Sequence, residues 1–173
     1  LEPELAAGDS SSLVVAEGPT YRLVLGEADS WDAADFLARA RAALAAPGDV
    51  DALLAAEAAW TGPFLPEWTF APWTEPLRTE LGEAHRAVLV GAAEALAAAG
   101  RAEEAISRYR LLLAMEPERE GWHRALMRVY ARAGERGLAL RQFEACRRAL
   151  REGLGVEPSR ETRDLHAELL REG

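Results

Sequence analysis

One internal repeat constrains this chain more than any other feature. The segment Gly100-Arg-Ala-Glu-Glu-Ala105 is echoed by Gly134-Glu-Arg-Gly-Leu-Ala139, and Tyr109 is echoed by Phe143, each pair thirty-four positions apart. A fixed period of this length marks stacked helix-turn-helix units, because one such unit cannot bury its apolar face alone. The residue types fit that geometry. Gly adopts the left-handed backbone that ends a helix and turns the chain. The small Ala lets the second helix approach the first, and the aromatic one turn later fills the space toward the next unit.

The units resemble tetratricopeptide repeats. The second places Leu126 and Tyr130 at patterned positions, with His123 where Trp is usual and Met127 where Gly is usual. The first matches at its turn, at Ala105, at Tyr109 and at its closing Pro117, and its first helix carries Leu89, Ala92, Ala93 and Leu96. The expected fold class is all-α: a tetratricopeptide-like right-handed array of about seven helices, preceded by a short N-terminal β-hairpin.

The hairpin expectation comes from two β-like runs, Leu13-Val14-Val15 and Tyr21-Arg22-Leu23-Val24-Leu25, around a Gly-Pro turn, following a polar tail that ends in Gly8-Asp-Ser-Ser-Ser12. Tyr21, Leu23 and Leu25 share one face, which is expected to lie on the first helices, because an isolated two-stranded hairpin is marginal in water. From Asp29 onward the chain reads as helix. Asp29 or Ser30 caps a helix to about 46, with Phe36, Leu37, Ala40 and Leu44 inward, and Pro47-Gly48 breaks it. Asp49 starts a second helix, ending near Trp60, with Leu53, Leu54 and Ala58 inward. Helices are then expected over 74–99, 102–115, 119–133 and 137–153, the long one carrying Leu77, Leu81, His85, Val88 and Leu96. A last helix is capped by Ser159 and buries Leu165, Leu169 and Leu170.

The net charge of −9 disfavours nucleic-acid binding by this chain alone, since non-specific DNA affinity comes from cations neutralising phosphates. All 20 basic residues are Arg, a compositional bias without mechanistic content of its own. The single cysteine, Cys146, excludes an internal disulfide and reads as a buried structural thiol. No apolar run is long enough to span a bilayer, and the start has no secretory pattern, so no membrane partner and a cytoplasmic location are expected. The missing initiator Met points to a fragment of a longer chain.

Catalytic equipment is not apparent, and no enzyme is expected. His85, His123 and His166 fall on three helices without metal-ligand spacing, no serine sits in a Gly-x-Ser-x-Gly elbow, and no Gly-rich loop carries a phosphate-binding Lys. The expectation is no catalytic residue, no metal and no cofactor. Two surface features are candidates for binding. Arg124, Arg128 and Arg132 recur every four residues on one helix and form a basic stripe for an acidic peptide or a second subunit; the alternative is a solvated face paired to Glu residues such as Glu94. Trp68, Phe70 and Trp73 on one loop form a ligand cage or partner anchor; the alternative is that they plug the groove between helix pairs.

A more specific resemblance rests on Trp60-Thr-Gly-Pro-Phe-Leu65, Trp73, Leu77-Arg78, the Gly100 segment, Pro117-Glu-Arg-Glu120, His123-Arg-Ala-Leu-Met127, Tyr130-Ala-Arg-Ala-Gly134 and Leu154-Gly-Val-Glu-Pro158. In this order and spacing the chain resembles the bacterial transcriptional activator domain of Streptomyces antibiotic regulatory protein-type regulators, over about 31–170. The resemblance implies a domain order in which residues 1–25 are the tail and wing of a truncated winged-helix DNA-binding domain. Pro19-Thr20-Tyr21-Arg22-Leu23 is similar to the end of that wing, with Thr20 where Gly is usual. Residues 29–173 are then the activator domain. It further implies a regulatory and protein-interaction role: self-association, contacts with other modules of the same regulator or the transcription machinery, and DNA contact only through the winged-helix part. A stand-alone peptide-binding scaffold and an effector-sensing domain with a small-molecule pocket near Trp68, Phe70 and Trp73 are the other readings.

Overall fold

A computed structural model describes residues 14–18, 20–23, 30–68 and 70–171. Seven α-helices follow one another among them: α1 (Asp32–Leu44), α2 (Val50–Ala58), α3 (Glu75–Ala98), α4 (Ala102–Met115), α5 (Glu120–Arg132), α6 (Arg136–Leu154) and α7 (Arg160–Arg171). Two 3₁₀ turns, Pro66–Trp68 and Pro72–Thr74, lie in the connection from α2 to α3. Each helix packs on the next. The pairs α3/α4 and α5/α6 are the most closely associated, and α1 also meets α3 as α5 meets α7. The result is three stacked hairpins closed by a single terminal helix, the array that the repeat requires.

The repeat period is visible in backbone hydrogen bonds. At Gly100, φ is +75°; the Arg101 N–H donates to the Leu96 carbonyl at 2.9 Å and the Gly100 N–H to the Ala97 carbonyl at 3.3 Å. At Gly134, φ is +79°; the Glu135 N–H donates to Tyr130 at 2.9 Å and the Gly134 N–H to Ala131 at 3.0 Å. Both are Schellman caps built on a left-handed glycine. Ala105 and Ala139 are fully buried at the helix crossings, with Tyr109 and Phe143 buried one turn later.

The long helix α3 serves two cores. Val88, Ala92 and Ala95 face Phe36, Ala40 and Leu53 of the first hairpin. Leu89, Ala93 and Leu96 join Tyr109, Leu112, Leu126, Tyr130 and Phe143 in the second core. Alanines at the crossings bring backbones close: a Cβ on Gly91 of α3 would stand 3.0 Å from Leu53 Cδ2 of α2. Each fully buried Leu or Phe contributes about 1.5–3 kcal/mol of apolar transfer free energy.

The caps expected at Asp49 and Ser159 form, whereas Ser30 does not cap α1. Asp49 accepts from the Ala52 N–H at 3.0 Å, and Ser159 Oγ accepts from the Thr162 N–H at 3.4 Å. At α1 the cap position is Trp31, and the Asp32 carboxylate takes the Ala33 N–H at 2.8 Å; Asp29 lies outside the described residues.

The expected fold class is corrected on one count: the architecture is all-α, and a β-hairpin lying on the first helices is not part of it. Two short strands, Val14–Glu17 and Thr20–Leu23, pair antiparallel with Val14 opposite Leu23, but among the described residues neither packs extensively on any helix. A two-stranded ribbon by itself is marginal in water. The polar tail, Leu13, Val24 and Leu25 lie outside the described residues.

Three inward assignments are also corrected. Leu44, Ala58 and Leu170 are exposed. The buried stripes run Ala33-Phe36-Ala40-Ala43 on α1, Leu53-Ala56 on α2 and Thr162-Leu165-Leu169 on α7, and each displaced residue lies one or two positions off its stripe, rotated toward solvent.

Candidate functional site

The basic stripe on α5 divides in two. Arg124, its side chain 20% exposed, is drawn into the junction with α7: Nη1 donates to Thr162 Oγ1 at 3.0 Å, Nη2 pairs with Glu161 at 3.0 Å, and Glu120 lies 3.8 Å away. Glu120 in turn accepts the Ser159 N–H at 2.7 Å. Burial pulls the Glu120 carboxyl upward, but hydrogen bonds from Thr162 and Ser159 and the charge of Arg124 outweigh it and hold the group below the usual carboxylate range. These residues clasp the terminal helix to the array. Arg128 and Arg132 are exposed, with no ion-pair or hydrogen-bond partner among the described residues. In the alternative reading the stripe pairs with Glu residues such as Glu94; for Arg124 the acidic partners are Glu120 and Glu161.

The aromatic loop is fixed from below and open above. The Arg78 guanidinium donates to the carbonyls of Phe64 at 3.2 Å, Leu65 at 3.1 Å and Trp68 at 3.3 Å, gathering three backbone oxygens of the loop onto the first turn of α3. Thr74, fully buried, donates its hydroxyl to the Ala71 carbonyl at 2.8 Å. Leu65 takes the tight turn at φ +44°. Above this support Trp68 is 57% exposed, Trp73 65% and Phe70 97%. Trp68 and Trp73 lie 6.3 Å apart at 56°. They do not plug a groove between helix pairs. That task falls to Trp60, Phe36 and Phe64: Trp60 stacks on His85 at 4.3 Å and packs on Phe36 at 5.1 Å, while Phe64 meets Trp31 edge-on.

Sequence reading did not foresee a groove of about 610 Å³ between α4 and α6, floored by Leu113, Leu126 and Ala149 and rimmed by Arg110, Arg148 and Glu152. His123 stands at its base. The Nε2–H donates to the Pro117 carbonyl at 2.8 Å, and Nδ1 accepts from the Gln142 amide at 2.6 Å, an arrangement that requires the neutral imidazole. Burial lowers its pKa, outweighing the opposing hydrogen bond to the Pro117 carbonyl and the charge of Glu120. The residue thus does by hydrogen bonding what a large ring does at this repeat position, pinning the α4–α5 corner to α6. Its departure from the repeat pattern was the signal that a polar contact replaced packing here.

The other histidines are packing residues, His85 on Trp60 and His166 stacked on Phe143 at 3.9 Å. Burial pushes the Cys146 thiol up to about 12, with Glu120 adding to the shift. Among the described residues no group of three or more His, Cys, Asp or Glu side chains is arranged to hold a metal, and no helix is long and apolar enough to cross a membrane.

Comparison with known proteins gives a consistent result. The family described as bacterial transcriptional activator domain matches residues 28–170, almost the span of the seven helices. The transcriptional regulatory protein MoaR1 of Mycobacterium tuberculosis is 31% identical over an alignment of 173 positions that covers 96% of this chain and 56% of the relative. Its counterpart in Mycobacterium bovis is 30% identical over the same span. A solved structure of Mycobacterium tuberculosis EmbR in complex with a low-affinity phosphopeptide superposes with a TM-score of 0.73 at 28% identity, covering 92% of this chain and 44% of that one. The chain therefore spans about half the length of the regulators it matches.

Proposed function

Since the chain belongs to the bacterial transcriptional activator domain family, we propose that it is the regulatory, protein-interaction part of a DNA-binding transcription activator of the antibiotic-regulatory type. The observation that supports this most is the coincidence of the family match, residues 28–170, with the helical array itself. Residues 29–173 act as the interaction domain, and residues 1–25 belong with the DNA-binding part, which contacts the promoter. The protein works in the cytoplasm, where its DNA is. The array mediates self-association or contacts with other modules of the regulator and the transcription machinery. An acidic chain of net charge −9 is suited to protein partners rather than to polyphosphate.

Within the array, Arg128 and Arg132 are the members of the α5 stripe available to a partner, while Arg124 is committed to α7. The test uses the full-length regulator and reads promoter occupancy by footprinting alongside transcription from the same promoter. Removal of residues 32–171 is expected to leave occupancy in place and abolish activation, and Arg128→Glu with Arg132→Glu to reduce activation at unchanged occupancy. Full activation by the protein lacking the array would overturn the reading; full activation by the charge-reversal variant alone would remove the stripe from it.

A further inference from the structure

The loop joining α2 to α3 presents large aromatic rings to solvent on a support that holds it in place. Three large rings 57%, 97% and 65% exposed on one short loop are not what folding alone selects, because each exposed ring forgoes the transfer free energy that burial would give it. The loop is also preorganised. Arg78 gathers the carbonyls of Phe64, Leu65 and Trp68, and Thr74 bonds Ala71, which lowers the ordering cost of these residues when a partner docks. Phe70 is almost wholly exposed, and the surface it shares with Trp68 and Trp73 is a platform rather than a pocket.

Charge selects the partner. From Trp60 to His85 the ionised residues are Glu67, Glu75, Glu80, Glu83 and Arg78, and Arg78 lies beneath the loop with its guanidinium on backbone carbonyls. Glu67 adjoins Trp68 in the chain and Glu75 follows Trp73 by two residues; both are exposed, and Glu75 also lies 3.9 Å from Arg78 Nη1. An incoming cation meets ring faces and carboxylates together, while an acidic segment is repelled. Guanidinium groups stack on indole faces and pair with carboxylates through one planar fork. We propose that Trp68, Phe70 and Trp73, flanked by Glu67 and Glu75, form a docking platform for a basic protein segment that presents arginine side chains.

The probe is an octa-arginine peptide titrated into the whole chain by calorimetry, with an octa-citrulline peptide as its neutral isostere. Octa-arginine should bind, octa-citrulline should not, and Trp68→Ala with Trp73→Ala should weaken binding roughly tenfold or more, as for paired aromatic anchors. Both rings are exposed, so the variant keeps its fold, checked by circular dichroism, and keeps every charge. Glu67→Gln with Glu75→Gln should weaken binding several-fold and flatten its salt dependence. Equal affinity in the double-Trp variant would assign the peptide to the diffuse negative field and overturn the proposal. Equal binding of octa-citrulline, or no binding of octa-arginine, would overturn it as well. So would self-association of the wild-type chain that is lost in the double-Trp variant and unaffected by octa-arginine, because the occupant would then be a second copy.

Discussion

Replacing either repeat-turn glycine by alanine isolates one physical term. At Gly100 and Gly134, φ is +75° and +79°, and a Cβ built at either position meets nothing within 4 Å. Space is therefore no obstacle, and the cost is conformational. Holding a residue with a Cβ in the left-handed region costs about 1–2 kcal/mol. The substitution also removes freedom from the unfolded chain, which returns about 0.4–1 kcal/mol. The net expectation is about 1 kcal/mol of destabilisation at each site, a fall in Tm of about 2–4 °C for a domain of this size. The two turns share no partners, so Gly100→Ala with Gly134→Ala should lose about 2 kcal/mol, the sum of the singles. Gly82→Ala supplies the opposite sign: it lies inside α3 with open space at its Cβ and no positive φ, and should gain about 0.5–1 kcal/mol through helix propensity. Urea unfolding followed by circular dichroism reads all four proteins. A neutral or stabilising Gly134→Ala, or a response at Gly100 of opposite sign to that at Gly134, would refute the equivalence of the two turns.

Three further outcomes follow from the buried polar groups. Burial lowers the pKa of both His85 and His123, more than the opposing charge of Glu57 raises the former and the hydrogen bond to Pro117 and the charge of Glu120 raise the latter. The unfolded chain then binds more protons than the native one, so stability is full above the ordinary histidine pKa of about 6.5 and falls as pH drops through and below it; urea midpoints between pH 8 and 5 should show this, with a smaller slope in His123→Gln. Arg124→Ala should cost about 1–2 kcal/mol and raise amide exchange in α7, because it breaks the clasp to Thr162 and Glu161, whereas Arg128→Glu should leave Tm nearly unchanged. Cys146, buried and with its thiol pushed up to about 12, should resist a thiol-labelling reagent at pH 8 until the protein is unfolded; rapid labelling of the native chain would contradict its burial.

The array was legible because its determinants are local and periodic. Gly100 and Gly134, Ala105 and Ala139, and Tyr109 and Phe143 state the repeat in residue type, and each helix boundary carries a cap or breaker nearby. What was not legible depends on distant partners. Nothing local says that Arg124 reaches Glu161 and Thr162, whose helix comes only after the whole of α6, so an apparent basic stripe proved to contain one structural arginine. The spacing of Trp68, Phe70 and Trp73 named the loop without saying which way the rings face; that depends on Arg78 reaching back to three of its carbonyls. The strands near the N-terminus show the same limit, since alternation predicts a pleat and not what, if anything, covers it.

The measurement closest to the central claim is competition in cells. This chain, supplied in excess beside its intact regulator, should occupy the partner that the array engages and lower output from the target promoter in proportion to its abundance. An excess variant with Trp68→Ala, Trp73→Ala, Arg128→Glu and Arg132→Glu, folded and equally abundant, should lower it less. Promoter output unmoved by the folded, abundant wild-type chain would contradict the assignment of the helical array as an interaction domain.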